Sequence, residues 1–371
     1  MIAIQNVAGP AAGRAAYTEL HDTKLGAVRA AFSPGVYQRS NVRAVGALAI
    51  DTTLFVASVA GALLVPWLPA RLGLGLLAGL FVAALFVWGH DAAHGALFGD
   101  GRLAEVLGTI AMLPSLSMYQ LWIYGHNRAH HGFTSYSPVD WIWRPMTPEQ
   151  YAAASGWSRF VYRCERSVAG PGLHYLLRVW WPGMVRFRPN GELRRRYHVT
   201  RSKLIVLAYV IGASTVAWIV GGGPVGVLVA VFVPWAVFTY MIGLMVYLHH
   251  THPALPLFDD RKEWSATIGQ VACSTIVRTS KPFGLLTHHI MVHTPHHVDA
   301  RIPFYRLEQA YADLKPDYGR YILEYRLRWS TLRSIAAACE LYDYRHHTWH
   351  RFDELPQLVK PVAAFSAPAE R

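Results

Sequence analysis

Three groups of closely spaced histidines are the residues of this sequence best suited to chemistry. They form the motifs HDAAH at 90–94, HNRAHH at 126–131 and HTPHH at 293–297. Residues four apart lie on one face of a helix, so two imidazoles with this spacing can point at one metal ion. The motifs therefore predict a metal site assembled from distant parts of the chain, with the ligands His90, His94, His126, His130, His131, His293, His296 and His297.

The number of these histidines predicts more than one metal ion. A single zinc ion takes about four ligands, whereas two ions with four or five nitrogens each match the number of imidazoles. His250, directly after a long apolar run, is the best candidate for a ninth ligand. Imidazole binds iron, copper, zinc and nickel, so the residues alone leave the metal open. The Glu-x-x-His pairs of carboxylate-bridged di-iron bundles do not occur in the sequence.

Three acids and one further histidine are placed to support the ligands. Asp91, Asp140 and Asp299 lie within or near the histidine motifs. A carboxylate that accepts the second N–H of a ligating imidazole fixes its tautomer and its orientation. His288, shortly before the third motif, is predicted to pack beside the site. Each acid has an alternative role as a helix cap or in a salt bridge, and Asp299 with Arg301 is a candidate ion pair.

The elements that position the histidines are predicted to be membrane-spanning helices. Of the 371 residues, 53% are hydrophobic and 16% are charged, against about 25% charged in ordinary soluble domains. Long apolar runs, interrupted by a charge only at Asp51 in the first, predict four spans at about 44–68, 72–89, 204–220 and 225–248, because about 20 apolar residues cross a bilayer. Their short connections make two helical hairpins. The segment 103–124 contains Glu105 and Pro114 and is predicted to be interfacial or re-entrant.

The distribution of charge predicts the topology. The net charge is +12, and Lys and Arg concentrate in the N-terminal region, the 126–203 segment and the C-terminal region. The positive-inside rule places these three regions, and with them the histidines, on the cytoplasmic side. We therefore predict an all-α membrane protein. It has a cytoplasmic arm over 1–40, a membrane domain over 41–350 whose cytoplasmic helical cap carries the metal site, and a tail over 351–371.

Other classes of protein fit the sequence less well. No basic motif with a known docking geometry occurs, so nucleic acid is not an expected partner. The three cysteines are far apart, which argues against a disulfide framework or a thiolate metal site. A non-enzymatic membrane metal transporter is a remote alternative. It would place ionisable residues near the middle of its spans, whereas the histidines here lie at one edge of the predicted spans.

The three motifs resemble the histidine boxes HxxxH, HxxxHH and HxxHH of membrane fatty acid desaturases. The segments YLHHTHP at 247–253 and HHVDARIPFYRL at 296–307 are similar to those of bacterial acyl desaturases of the delta-12, or omega-6, type. The resemblance covers about residues 40–345. It implies that the eight histidines and His250 ligate two iron ions and that dioxygen is a co-substrate. It also implies that electrons come from a separate ferredoxin or cytochrome-type donor.

The resemblance further implies an oxidoreductase of lipid metabolism that introduces a double bond into a fatty acyl chain. It would be a multi-pass protein of the bacterial inner membrane with its active site facing the cytoplasm. The acyl chain would be linked to a lipid, coenzyme A or a carrier protein and would lie in a tunnel along the spans. Trp122, Tyr124, Trp141 and Trp143 either line this tunnel or anchor the membrane interface. A fatty acyl hydroxylase or an acetylenase shares the histidine boxes and is an alternative function.

Overall fold

The structure is a computed structural model that describes residues 13–359. It is mostly helical and has four helices long and apolar enough to cross a membrane. They run over Asn41–Leu64, Leu68–Ala93, Val199–Gly221 and Pro224–His250, and we call them spans 1 to 4. The predicted membrane fold with four spans is confirmed in this form. Residues 1–12 of the predicted arm and 360–371 of the predicted tail lie outside the described residues.

The ends of the spans differ from the ends of the apolar runs. Span 1 ends at Leu64, and span 2 begins at Leu68 with Pro69 in its first turn. Proline is favoured there because the first helical N–H has no partner within the helix. Span 2 continues beyond its apolar run to Ala93, and span 4 continues to His250. Histidines therefore lie on the ends of long helices.

Spans 2 and 4 form the centre of the membrane domain. A Cβ atom on Gly75 would lie 2.5 Å from the carbonyl oxygen of Val229, and one on Gly79 would lie 2.4 Å from Cβ of Val237. Small residues at this spacing let two helix backbones approach closely. Spans 1 and 3 are peripheral, since only 17% and 11% of their apolar windows are buried, against 61% and 44% for spans 2 and 4.

A bent helix pair follows span 2. Gly101–Ser115 and Tyr119–His130 meet at an angle of 97° and fit either a broken span or a re-entrant loop. This pair contains the segment that the sequence predicts to be interfacial or re-entrant. Its second half becomes π-helical at Ile123–His130. The pair packs against spans 2 and 4 and so carries the second histidine motif to their ends.

Short elements form the cap and complete the described chain. Two two-stranded sheets, which the sequence analysis did not predict, pair Thr275–Arg278 in parallel with Leu323–Arg326 and Leu341–Asp343 antiparallel with Thr348–His350. The shorter α-helices are Gly13–Asp22, Leu25–Arg29, Gly101–Met112, Tyr119–Trp122, Pro148–Ala153, Gly156–Arg166, Pro171–His174, Gly191–Arg196, Ala266–Ala272, Lys281–Leu286, His293–Val298, Leu307–Tyr318, Trp329–Ala338 and Leu355–Leu358. Further π-helical segments are Tyr175–Arg186 and, within span 4, Leu228–Phe232. The 3-10 turns are Pro34–Tyr37, Leu113–Ser115, Phe304–Arg306, Gly319–Tyr321 and Phe352–Glu354.

The described part of the N-terminal arm packs against the cap. The Thr267 hydroxyl donates to the carbonyl oxygen of Thr23 at 2.6 Å, and Tyr321 donates to Glu19 at 2.6 Å. Hydrogen bonds therefore join the described part of the N-terminal arm to the cap.

Candidate metal centre

The predicted ligands lie on the ends of elements that converge on one region. His90 lies in the last turn of span 2, His94 is its C-terminal cap, and His250 is the last residue of span 4. The second motif occupies the π-helical segment and the residue after it, and the third motif forms the short helix His293–Val298. Helix ends from the membrane domain and the cap thus place the ring nitrogens.

The structure brings all nine predicted ligands into two adjoining groups, in each of which one nitrogen per ring lies within 4.8 Å of the others. Nε2 of His90 is 2.8 Å from Nε2 of His126, and Nε2 of His297 is 2.9 Å from Nε2 of His293. The groups touch where His131 stacks on His297. Group A is His90, His94, His126, His131 and His296, and group B is His130, His250, His293 and His297.

The π-helical geometry of the second motif decides which of its histidines share a group. The His131 N–H donates to the carbonyl oxygen of His126 at 2.9 Å, across five residues, and both rings enter group A. His130, four residues after His126, enters group B. The expectation that the four-residue spacing directs these two rings at one ion is wrong in this motif, because a π-turn contains more residues than an α-turn.

Carboxylates hold the second nitrogen of two ligands. Nδ1 of His90 donates to Asp91 at 3.0 Å, and Nδ1 of His130 donates to Asp140 at 3.0 Å. Both acids are buried, and Asp91 also accepts the backbone N–H of Phe304 at 2.8 Å. Such contacts leave Nε2 of each ring free to face the centre of its group. The structure places these two acids where the sequence predicts a supporting carboxylate.

Three further supporting contacts had no signal in the sequence. Nδ1 of His250 donates to the carbonyl oxygen of Cys273 at 3.0 Å, and Nδ1 of His297 lies 3.0 Å from the amide oxygen of Gln270. The Thr134 hydroxyl lies 3.1 Å from the same His297 nitrogen. A backbone carbonyl, an amide and a hydroxyl carry no recognisable spacing, so only the folded chain shows that they belong to the site.

The other two predicted supporting residues have different partners. Asp299 accepts from Arg301 at 2.6 Å and from Tyr37 at 3.0 Å, which is the ion-pair role considered above. Nε2 of His288 donates to Asp51 at 2.7 Å. In the described part of the chain, neither Asp299 nor His288 contacts a ring of group A or group B.

Most of the described histidines outside the two groups are buried by packing or paired with acids. His249 stacks on the His293 ring with a centroid separation of 3.7 Å, and His252 stacks on Tyr325. The C-terminal histidines bond to the cap, as in the 2.7 Å contact between His346 and Asp343. His249 therefore borders group B, whereas His252 and the C-terminal histidines have partners outside the nine clustered rings.

The ring nitrogens have the chemistry that metal ligands need. Burial, reinforced by the neighbouring histidines, lowers the pKa of His131, His293, His296 and His297 well below the ordinary imidazole value. Neutral imidazole offers a lone pair to a metal ion, whereas the protonated ring does not. Within residues 13–359, both nitrogens of His296 are buried without a hydrogen-bond partner. Buried polar atoms are normally satisfied, so a metal ion in each group fits these residues.

An apolar passage begins at the histidines. One cavity has His90, His126 and other clustered rings on one wall and apolar residues such as Phe86 and Met245 on the others. A second apolar cavity shares Trp122, His126, Ile142 and Val179 with the first and continues to Tyr124, Trp141 and the exposed Phe187. Three of the four aromatic residues named above therefore line the passage. Trp143 instead packs against His174 with ring centroids 3.8 Å apart.

This arrangement can hold two metal ions beside a channel suited to a hydrocarbon chain. The chain also matches the family model described as "Fatty acid desaturase" over residues 65–329, more than half of its length. It is 29% identical over 320 residues to the sn-1 oleoyl-lipid 12-desaturase of Picosynechococcus sp., covering 84% of this chain and 88% of the relative.

Plant proteins are similar to the same extent. The chloroplastic omega-6 fatty acid desaturase of Glycine max is 27% identical over 317 residues, which cover 83% of this chain and 71% of the relative. The corresponding protein of Arabidopsis thaliana is 28% identical over 334 residues, 88% of this chain and 71% of the relative. With two histidine groups of the predicted composition and four candidate membrane spans, the chain belongs to the fatty acid desaturase family and is a multi-pass oxidoreductase of lipid metabolism.

Proposed function

We propose that group A and group B each hold one iron ion and together form the di-iron centre of this desaturase. The observation that carries the proposal is the arrangement of nine buried or half-buried imidazoles as sets of five and four around two adjoining points. No side chain is basic enough to deprotonate an unactivated C–H bond. Iron would supply the oxygen-dependent oxidation that breaking such a bond requires. The protein's part is to hold the ions and to align the substrate. Asp91 and Asp140 orient the ligand rings for this purpose.

We infer that the substrate is an oleoyl chain attached to a membrane lipid and that the new double bond forms at its 12 position. The activity of the relative from Picosynechococcus sp., an sn-1 oleoyl-lipid 12-desaturase, supports this choice of substrate and position. The two cavities between the histidines and Phe187 are suited to an extended acyl chain, since their linings are mainly apolar. Val179 lines both cavities, so it borders the path that the chain would follow.

The reaction requires a partner that supplies electrons. Each turnover removes two hydrogens from the acyl chain, and two further protons with two electrons complete the reduction of dioxygen to two waters. We propose that a separate ferredoxin or cytochrome-type protein delivers the two electrons. We also propose that the histidine groups face the cytoplasm of a bacterial inner membrane, since the basic segments flank the same ends of the spans.

Fatty acid profiling tests the proposed reaction. The gene is expressed in a host whose lipids contain oleate but no linoleate, and the lipid classes are separated before the fatty acids are analysed by mass spectrometry. We expect linoleate in the membrane lipids of cells with the wild type and none with His130→Ala, which removes a group B ligand. The matched control His346→Ala, outside the two groups, should retain product.

Products other than linoleate would distinguish the alternative functions. A hydroxylated chain would indicate a hydroxylase, and a triple bond would indicate an acetylenase. A double bond at another position would overturn the assigned regiochemistry while leaving the desaturase chemistry intact. The acyl carrier is tested by giving a membrane preparation labelled oleate linked to lipid, to coenzyme A or to carrier protein. Labelled product that appears first on coenzyme A or on carrier protein would overturn the assignment of a lipid-linked substrate.

A further inference from the structure

A buried hydrogen bond between Asp51 and His288 connects span 1 with the cap outside the two histidine groups. Asp51 is 7% exposed, although its neighbours on the same helix, Ile50 and Leu54, are 61% and 42% exposed. Its carboxylate accepts from Nε2 of His288 at 2.7 Å, and the His288 ring is also buried. An acid within a membrane span is costly and usually serves a function. We therefore expect Asp51 to have a function other than direct ligation of a metal ion.

The turn that carries His288 has an unusual backbone. His288 and His289 both have a positive φ, +47° and +55°, which is uncommon for residues other than glycine. The His289 N–H donates to the carbonyl oxygen of Gly284 at 2.8 Å and closes the turn. Strained conformations of this kind persist where the surrounding structure fixes them. The His288 ring is therefore held from two sides, by its own turn and by Asp51.

The held ring leads through two contacts to a ligand of group A. The His288 ring packs on Phe304, with ring centroids 4.6 Å apart. The backbone N–H of Phe304 donates to one oxygen of Asp91 at 2.8 Å, and the other oxygen accepts from Nδ1 of His90 at 3.0 Å. Phe304 and Asp91 are 6% and 0% exposed, so solvent does not replace these contacts.

We propose that Asp51 and His288 are positioning residues for His90, and this rests on the proposed function, in which His90 is an iron ligand. Asp51 fixes the His288 ring, the ring fixes Phe304, and the N–H of Phe304 fixes the carboxylate that orients His90. Without the Asp51 carboxylate, the His288 ring can turn away from Phe304. Asp91 then loses its second anchor, and His90 samples orientations that no longer face group A. In the described part of the chain these contacts do not reach group B.

Iron binding by the purified protein tests this path. Wild type, Asp51→Leu, Asp51→Asn and Phe304→Leu are loaded with ⁵⁷Fe, and Mössbauer spectra are recorded during removal of iron by a chelator. Reference spectra of His94→Ala and His250→Ala assign the signals to group A and group B. Asp343→Leu is the matched control, because Asp343 makes an equally short 2.7 Å contact with His346 at the surface of the cap.

We expect Asp51→Leu to bind iron about tenfold more weakly at group A, at the lower end of the effect of supporting residues, with group B unchanged. Asp51→Asn should stay close to the wild type, because its amide oxygen still accepts from His288. Phe304→Leu should weaken group A as well. The double variant Asp51→Leu/Phe304→Leu should bind iron at group A no more weakly than the more strongly affected single variant, since both changes break the same path.

Three results would overturn the positioning role. They are an unchanged group A in Asp51→Leu and Phe304→Leu, equal weakening of both groups, and additive effects in the double variant. If Asp51→Leu does not fold, Phe304→Leu decides alone, because it leaves the Asp51–His288 pair intact. A wild type that binds iron at both groups while the variants match it contradicts only the positioning role. A wild type without iron overturns the proposed function and this proposal with it.

Discussion

Replacing Asp140 with alanine is expected to weaken iron binding at group B. Asp140 accepts from Nδ1 of His130 at 3.0 Å and from the Ser135 N–H at 2.9 Å, and both contacts are buried. A hydrogen bond to a charged group contributes about 1.5–3 kcal/mol, and every 1.4 kcal/mol is roughly a tenfold change in affinity. We therefore expect group B to bind iron roughly 10- to 100-fold more weakly, which agrees with the effect of losing a group that orients a metal ligand.

Competition with a chromogenic iron chelator at fixed pH measures this affinity. Asp140→Asn should lie between the wild type and Asp140→Ala, because the amide keeps an acceptor oxygen and loses the charge. Asp343→Ala is the control, since Asp343 makes a similar contact with His346 away from the histidine groups. An Asp140→Ala variant that holds group B iron as tightly as the wild type would refute the reasoning. So would an Asp343→Ala variant with an equal loss.

Three further predictions concern the passage, the helix packing and pH. Val179→Trp should fill the junction of the two cavities and abolish oleate desaturation with iron content unchanged, as measured by fatty acid analysis and metal analysis. Gly79→Ala should lower the melting temperature, since its Cβ would lie 2.4 Å from Val237 and overpacking costs about 1–3 kcal/mol, whereas Gly73→Ala meets no atom within 4 Å and should not. The metal-free protein should lose stability as the pH falls below about 6.5. The buried histidines outside the spans have lowered pKa values in the folded protein, so the unfolded chain binds more protons in this pH range. A melting temperature that stays constant from pH 8 to pH 5 would contradict this prediction.

Local patterns in the sequence predict the four spans and eight of the nine candidate ligands, whereas His250 is predicted from its position after the last apolar run and from the family resemblance. Uncharged runs of sufficient length mark the spans because every backbone polar group in the bilayer must be paired within the segment. The histidine motifs mark the site because a four-residue spacing in a helix brings two rings to one face, as His90 with His94 and His293 with His297 show.

The division of the ligands between two groups could not be predicted from spacing. It depends on the π-helical turn that places His131 with His126, and hydrophobicity patterns do not report such turns. The supporting contacts from Gln270 and from the Cys273 carbonyl join residues far apart in the chain. Asp51 interrupts an apolar run in the sequence, and only the fold shows that it is paired with His288.

Metal analysis of the purified wild-type protein, combined with X-ray absorption at the iron edge, tests the central claim most directly. We predict two iron ions per chain and a first coordination shell dominated by imidazole nitrogen. No more than one ion per chain, or iron bound mainly by sulfur or carboxylate oxygen, would contradict the assignment of group A and group B as a histidine-ligated di-iron centre.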